Sequence, residues 1–121
     1  MTSEQRVTVV ATAVAIISKK NFGAVYSYEL SGYTSVSVNK HGRNIEVYDY
    51  KRGCYMSANS TSGSEYSLYD YGVSAHLSLT INGNNFSGYD YGSSSHFSGS
   101  INAGSISLYD YQTSTYYNYS V

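Results

Sequence analysis

Residues 65–83 read EYSLYDYGVSAHLSLTING, and this stretch decides the fold. Its first half alternates: Tyr66 and Leu68 fall on one side of an extended chain, Tyr69 and Tyr71 on the other. Its second half alternates again, with Leu77, Leu79 and Ile81 on one side and His76, Ser78 and Thr80 opposite. Successive strand side chains point to opposite faces, so period-two alternation over both halves predicts two β-strands. Asn82-Gly83 then suits a type I′ hairpin turn, in a register that sets Leu79 opposite Phe86.

Working outward, this unit is one of five. Tyr-x-Tyr recurs at Tyr26/Tyr28, Tyr48/Tyr50, Tyr69/Tyr71, Tyr89/Tyr91 and Tyr109/Tyr111, at intervals of 22, 21, 20 and 20 residues. A fixed period of this size marks a repeat architecture. Apolar side chains precede the tyrosines on the opposite face: Ile45 and Val47, Phe86 with Gly88, Ile106 and Leu108. In the second segments Val36 and Val38, Met56 and Ala58, Phe97 and Ile101, and Tyr119 with Val121 share the inner face, behind a row rich in Ser, Asn and Tyr. The period is that of solenoid and curli-like repeats, but the Gln/Asn pattern of the latter and the Gly-Gly-x-Gly-x-Asp pattern of calcium-binding rolls are absent.

Before the repeats, Thr2-Ser3-Glu4-Gln5 has the form of a capping box, and Asn21 and Gly23 are helix stop signals. Between them Val7, Val10, Ala11, Val14 and Ile17 form one helical stripe, and Val9, Ala13 and Ile16 an adjacent one, a face wide enough for burial. Glu4 and the pair Lys19 and Lys20 suit the two ends of the dipole. One domain is expected over 1–121, with a helix over 2–21 and five β-repeats over 22–121. The apolar run from Val7 to Ile17 is far short of the ~20 residues that span a bilayer, and its flanks read poorly as a secretory signal.

Two architectures fit. In a β-solenoid, which is the first expectation, equivalent strands stack in parallel and the helix caps the first rung. In an antiparallel hairpin meander or barrel, the helix packs on the apolar face. Asn82-Gly83 favours the second, and so do Asp49, Asp70, Asp90 and Asp110, since parallel stacking would bring these carboxylates within about 4.8 Å of one another. Against this, a single helix covers only part of a ten-strand sheet.

Charged residues make up 12% of the chain and Tyr accounts for 16 residues. Few charges with many aromatics exclude the composition of a disordered chain. All seven Lys and Arg lie at or before Arg52, so residues 1–52 carry a net +3 and residues 53–121 a net −4. In a linear repeat this polarity would favour head-to-tail association, and an uncapped C-terminal edge ending in Tyr116, Tyr117 and Tyr119 points to a homo-oligomer. No nucleic-acid footprint or phosphate loop is present. Cys54 stands alone and offers no disulfide.

The chemistry-bearing residues are few in kind. Each Asp lies in a Tyr-Asp-Tyr motif and is expected to end its strand and accept hydrogen bonds from turn amides, with a cation across Asp70, Asp90 and Asp110 as the alternative. His76 and His96 hold equivalent positions in an outer row where other units carry Tyr, and no third metal ligand stands beside them. Ser/His/Asp combinations arise from repetition alone, without a strained nucleophile turn. The distinctive surface is aromatic: Tyr48, Tyr50, Tyr69, Tyr71, Tyr89, Tyr91, Tyr109 and Tyr111, joined by His76 and His96. Tyr supplies large amphipathic contact area at low entropy cost. The expected function is that of a non-catalytic, cofactor-free module binding a protein partner, or itself, through Tyr- and Ser-rich faces and sheet edges. A glycan- or ice-binding protein is the alternative, and a cation-binding or hydrolytic protein ranks last.

Overall fold

The computed structural model describes residues 1–18 and 20–121. A helix, α1 (Ser3–Ile17), precedes β1 (Ala24–Ser27), β2 (Gly32–His41), β3 (Asn44–Asp49), β4 (Cys54–Ser62), β5 (Glu65–Asp70), β6 (Ala75–Asn82), β7 (Asn85–Asp90), β8 (Ser95–Asn102), β9 (Ser105–Asp110) and β10 (Thr115–Ser120). Each strand pairs antiparallel with its sequence neighbours, and β10 closes the sheet onto β1. The fold is therefore a closed antiparallel barrel and not the parallel solenoid. The connections give the reason. At one rim each pair of strands is joined by two residues, as at 83–84, where Asn82 pairs with Asn85; at the other rim by four, as at 71–74, where Asp70 pairs with Ala75. Loops this short turn the chain back beside itself within one sheet.

The hairpin register also differs from expectation. The turn is Gly83-Asn84, so Ile81 faces Phe86 and Leu79 faces Gly88. Gly83 has φ +62°, as the first central residue of a type II′ turn requires. Because the shift amounts to two residues, every side chain stays on its expected face.

The helix runs inside the barrel. Every residue from Gln5 to Ala15 is buried, including Thr8 and Thr12, so the two apolar stripes belong to a helix enclosed on all sides. Ten strands spaced about 4.8 Å apart and tilted about 40° close at a radius of roughly 10 Å. A helix of roughly 5–6 Å radius with its side chains then leaves a single layer for inward strand residues. Hence the helix is built from Val, Ala and Thr, and the wall carries Ala58, Gly88 and Gly99 at inward positions. A single helix is thus enough, because the sheet curls round it.

The glycines admit the two inward phenylalanines. Gly88 lies opposite Phe97, and Gly99 opposite Phe86. A Cβ on Gly88 would stand 2.4 Å from the Phe97 ring, and one on Gly99 would stand 2.4 Å from the Phe86 ring. Each ring fills the space that its cross-strand partner leaves.

The helix begins as its cap predicts, with the Gln5 amide donating to Thr2 Oγ1 at 3.1 Å. It ends at Ile17, four residues early, because Ser18 is extended (φ −90°, ψ 140°) and starts the exit from the barrel. No basic residue lies in the last turn among the described residues, and the expectation for Lys19 lies outside them.

The expectation of an open C-terminal edge is corrected by closure. Tyr26 pairs with Ser120 and Ser27 with Tyr119, and the Tyr28 amide donates to Asn118 O at 3.1 Å. Above that point β10 faces the 28–31 turn instead of a strand. The Arg6 guanidinium covers this part of the seam, 3.8 Å from the Tyr117 ring centre and 3.1 Å from Glu29 Oε2. With both edges taken up, edge pairing between copies loses its basis, and so does a basic pole facing an acidic one. The two halves of the chain form two sides of one barrel.

Candidate functional site

Tyr-x-Tyr places its two tyrosines outward and its middle residue inward, beside the four-residue loops. The second strand of each unit contributes a third outward aromatic ring. Tyr26 meets Tyr28 and Tyr33; Tyr48 meets Tyr50 and Tyr55; Tyr69 meets Tyr71 and His76; Tyr89 meets Tyr91 and His96; Tyr109 meets Tyr111 and Tyr116. All ten contacts are edge-to-face, with ring centres 4.6–4.9 Å apart. Edge-to-face packing satisfies the ring quadrupoles and adds stability beyond area burial. The central Tyr48, Tyr69, Tyr89 and Tyr109 are half-buried and hold their neighbours in place, while Tyr50, Tyr71, Tyr91 and Tyr111 remain 54–61% exposed. The five triads follow the barrel round and form an aromatic belt near one rim. All ten residues singled out from the sequence belong to it.

The middle residues form a second, inner ring. Asp49, Asp70, Asp90 and Asp110 are all buried, around the N-terminal end of α1. Each accepts a hydrogen bond from a turn amide two residues on, those of Lys51, Gly72, Gly92 and Gln112, at 2.8–3.0 Å, which was the expected role. Alternate strands separate them, so the backbones of neighbours stand roughly 10 Å apart instead of stacking at one strand spacing. Arg52 bridges two of them, with Nε 2.9 Å from Asp49 and Nη1 3.0 Å from Asp70. Arg6 Nη1 lies 3.1 Å from Asp110, and the Met1 amino group lies 3.5 Å from Asp110 and 4.0 Å from Asp90. Burial works against the charge of Arg52, but the hydrogen bond it donates to Asp49 and the charge of Asp70 outweigh it and raise its pKa. For Arg6 burial is likewise outweighed, by Glu29, the two tyrosines Tyr117 and Tyr119, and Asp110. Burial pushes the Tyr119 phenol well above its ordinary range, with Arg6 pulling the other way.

The ring is thus held by two groups of ion pairs, Asp49 and Asp70 on Arg52, and Asp90 and Asp110 on the Met1 amino group with Arg6 beside Asp110. The cation alternative for Asp70, Asp90 and Asp110 finds no ligand set: among the described residues no group of three or more His, Cys, Asp or Glu side chains is arranged to hold a metal. Sequence reasoning missed Arg6 and Arg52 as partners of this ring. The signal was the parity of the strand: Asp49 shares a face with Val47 and Ile45, and Asp70 with Leu68, so each carboxylate had to enter the core and needed a buried cation.

Below the belt, on the side of β6 to β9, the outer wall is rich in hydroxyls. Along β6 a trough of about 900 Å³ runs from Tyr91 past His76 and Ser78 to Thr80, with Glu65 at its lower border. A second hollow of about 400 Å³ adjoins it at Thr80 and extends over β7 and β8 to Tyr116. With Asp70, Asp90 and Asp110 inside, the described surface from Tyr66 to the last residue presents no Asp, Glu, Lys or Arg to solvent. Cys54 is a free, half-buried thiol beside Arg52, raised in pKa by burial and not part of the belt. No helix among the described residues is long and apolar enough to cross a membrane. Comparison of the chain with protein-family models, curated proteins and solved structures gives no significant match.

Proposed function

We propose that this protein is a non-catalytic binding module whose aromatic belt is its contact surface, with a second copy of the chain as the first partner. One observation supports this reading above the others: eight tyrosines, from Tyr55 at 43% to Tyr33 at 75% exposure, are held in fixed edge-to-face triads and left open to solvent. Preordered aromatic side chains lose little entropy on contact and dominate the energetics of protein interfaces. Two such belts meet with little like-charge repulsion, because the triads contain no Lys, Arg, Asp or Glu. The buried charges serve the barrel as ion-pair partners and turn acceptors. A curved wall rich in Ser offers a crystal plane little flat face, which favours the protein-contact reading over the ice reading.

The test is sedimentation equilibrium of the full chain against a Tyr28→Ser, Tyr50→Ser, Tyr111→Ser variant. Wild type is expected to associate with increasing concentration and the variant to stay monomeric, with circular dichroism unchanged. High salt should leave association intact, since no ion pair carries it. A wild-type protein that remains monomeric at millimolar concentration would overturn the proposal.

A further inference from the structure

The trough along β6 and the hollow beside it are a second feature, distinct from the belt as a whole though its ends touch it. We infer that they form a binding site for a neutral glycan chain. The inference rests on the reading of the belt as a contact surface and assigns a ligand class to one side of it.

The chemistry of the wall selects the ligand. A phosphate-bearing or otherwise anionic polymer requires Lys or Arg, and the chain has none after Arg52. Glu65, at the lower border of the trough, would repel anions further. A cationic peptide would seek several carboxylates, but Glu65 stands alone at the border, while Asp70, Asp90 and Asp110 are turned inward and neutralised or capped there. What remains outward is Ser78, Thr80, Ser87, Ser98 and Ser100, with His76 above them. Each hydroxyl donates one hydrogen bond and accepts two, which is the pattern a sugar hydroxyl presents in return. The wall's backbone groups are already paired in the ladders, so recognition falls to these side chains.

Aromatic rings complete the site. Tyr91 borders the trough and Tyr116 the adjoining hollow. Both belong to triads, through Tyr89 and Tyr109, and so are positioned before a ligand arrives. A pyranose has an apolar C–H face that packs on such a ring while its equatorial hydroxyls reach the Ser row. The volume also fits. About 900 Å³ lies at the upper end of what small-molecule pockets occupy, and the hollow extends it. The motif recurs every second strand, roughly 10 Å along the wall. An extended chain of several sugars would use that recurrence; a single sugar would not.

The experiment is calorimetric titration of the full chain, at a concentration where it is monomeric, with neutral hexasaccharides of glucose, mannose and xylose, and with a polyuronate of similar length. Wild type should bind at least one neutral hexasaccharide saturably and the polyuronate at least about tenfold more weakly. Tyr91→Ala should weaken binding by about tenfold or more, and Ser78→Trp, which fills the trough, should abolish it. Ser35→Trp, on the opposite wall, should change nothing. No saturable binding of any neutral hexasaccharide at millimolar concentration overturns the inference, and so does equal loss in Ser35→Trp or equal affinity for the polyuronate. The two proposals fail separately: lost glycan binding with intact belt-dependent association sinks only this one, whereas binding by a strictly monomeric protein sinks only self-association.

Discussion

Gly88→Ala tests how the barrel accommodates its contents. A Cβ at this position would lie 2.1 Å from the backbone oxygen of Ser78 and 2.4 Å from Phe97 Cζ, where ordinary contacts begin near 3.4 Å. The ring can turn aside, but the Ser78 oxygen belongs to β6, so β6 and β7 would have to part by about 1 Å. Overpacking of a filled core costs about 1–3 kcal/mol. Each ladder hydrogen bond stretched open adds about 0.5–1.5 kcal/mol. The expected loss is therefore about 3 kcal/mol, equivalent to roughly 10 °C in Tm for a chain of this size. Urea denaturation followed by circular dichroism would measure it. Adding Phe97→Leu should recover only part of the loss, because the backbone clash remains. Gly83→Ala is the control: nothing lies within 4 Å of its added Cβ, and φ +62° limits its cost to about 1 kcal/mol. If Gly88→Ala proved no worse than Gly83→Ala, the reciprocal Phe–Gly packing would be refuted.

Three further predictions concern charge and turns. Arg52→Met should cost about 3–5 kcal/mol in a denaturant titration, because Asp49 and Asp70 stay buried without their shared partner, and a loss below 1 kcal/mol would contradict the network. Ala103→Gly should stabilise by about 0.5–1 kcal/mol, since Ala103 sits at φ +55° in a turn whose counterparts Gly42, Gly63 and Gly83 are glycine; a lower denaturation midpoint would refute this. Tyr119 has its pKa raised in the folded protein, so its contribution is complete below the unfolded value near 10 and is lost as pH rises above it. Tyr119→Phe should therefore match or exceed wild type at neutral pH and gain on it above about pH 10, and parallel stability–pH curves for the two would show the assignment to be wrong.

The strands, their faces and the repeat were determined by the sequence alone, because side-chain alternation is a local consequence of extended backbone. Leu77 and Leu79 against His76 and Ser78 could be read without a fold, and so could the outward tyrosines and the helix cap at Thr2. Closure could not. It depends on β1 reaching β10 across the whole chain, an event of high sequence separation for which no local residue carries a signal. Nor could the inside position of α1, which follows from matching the radius of ten tilted strands to the thickness of a Val/Ala/Thr helix. The inward Asp ring lay between these cases. Its face was legible from the parity of Asp49 with Val47, but the cations that make burial tolerable, Arg6 and Arg52, stand far from most of their partners in sequence. Only the folded barrel brings them together, and by drawing those carboxylates inside it also decides that half of the outer wall is left without charge.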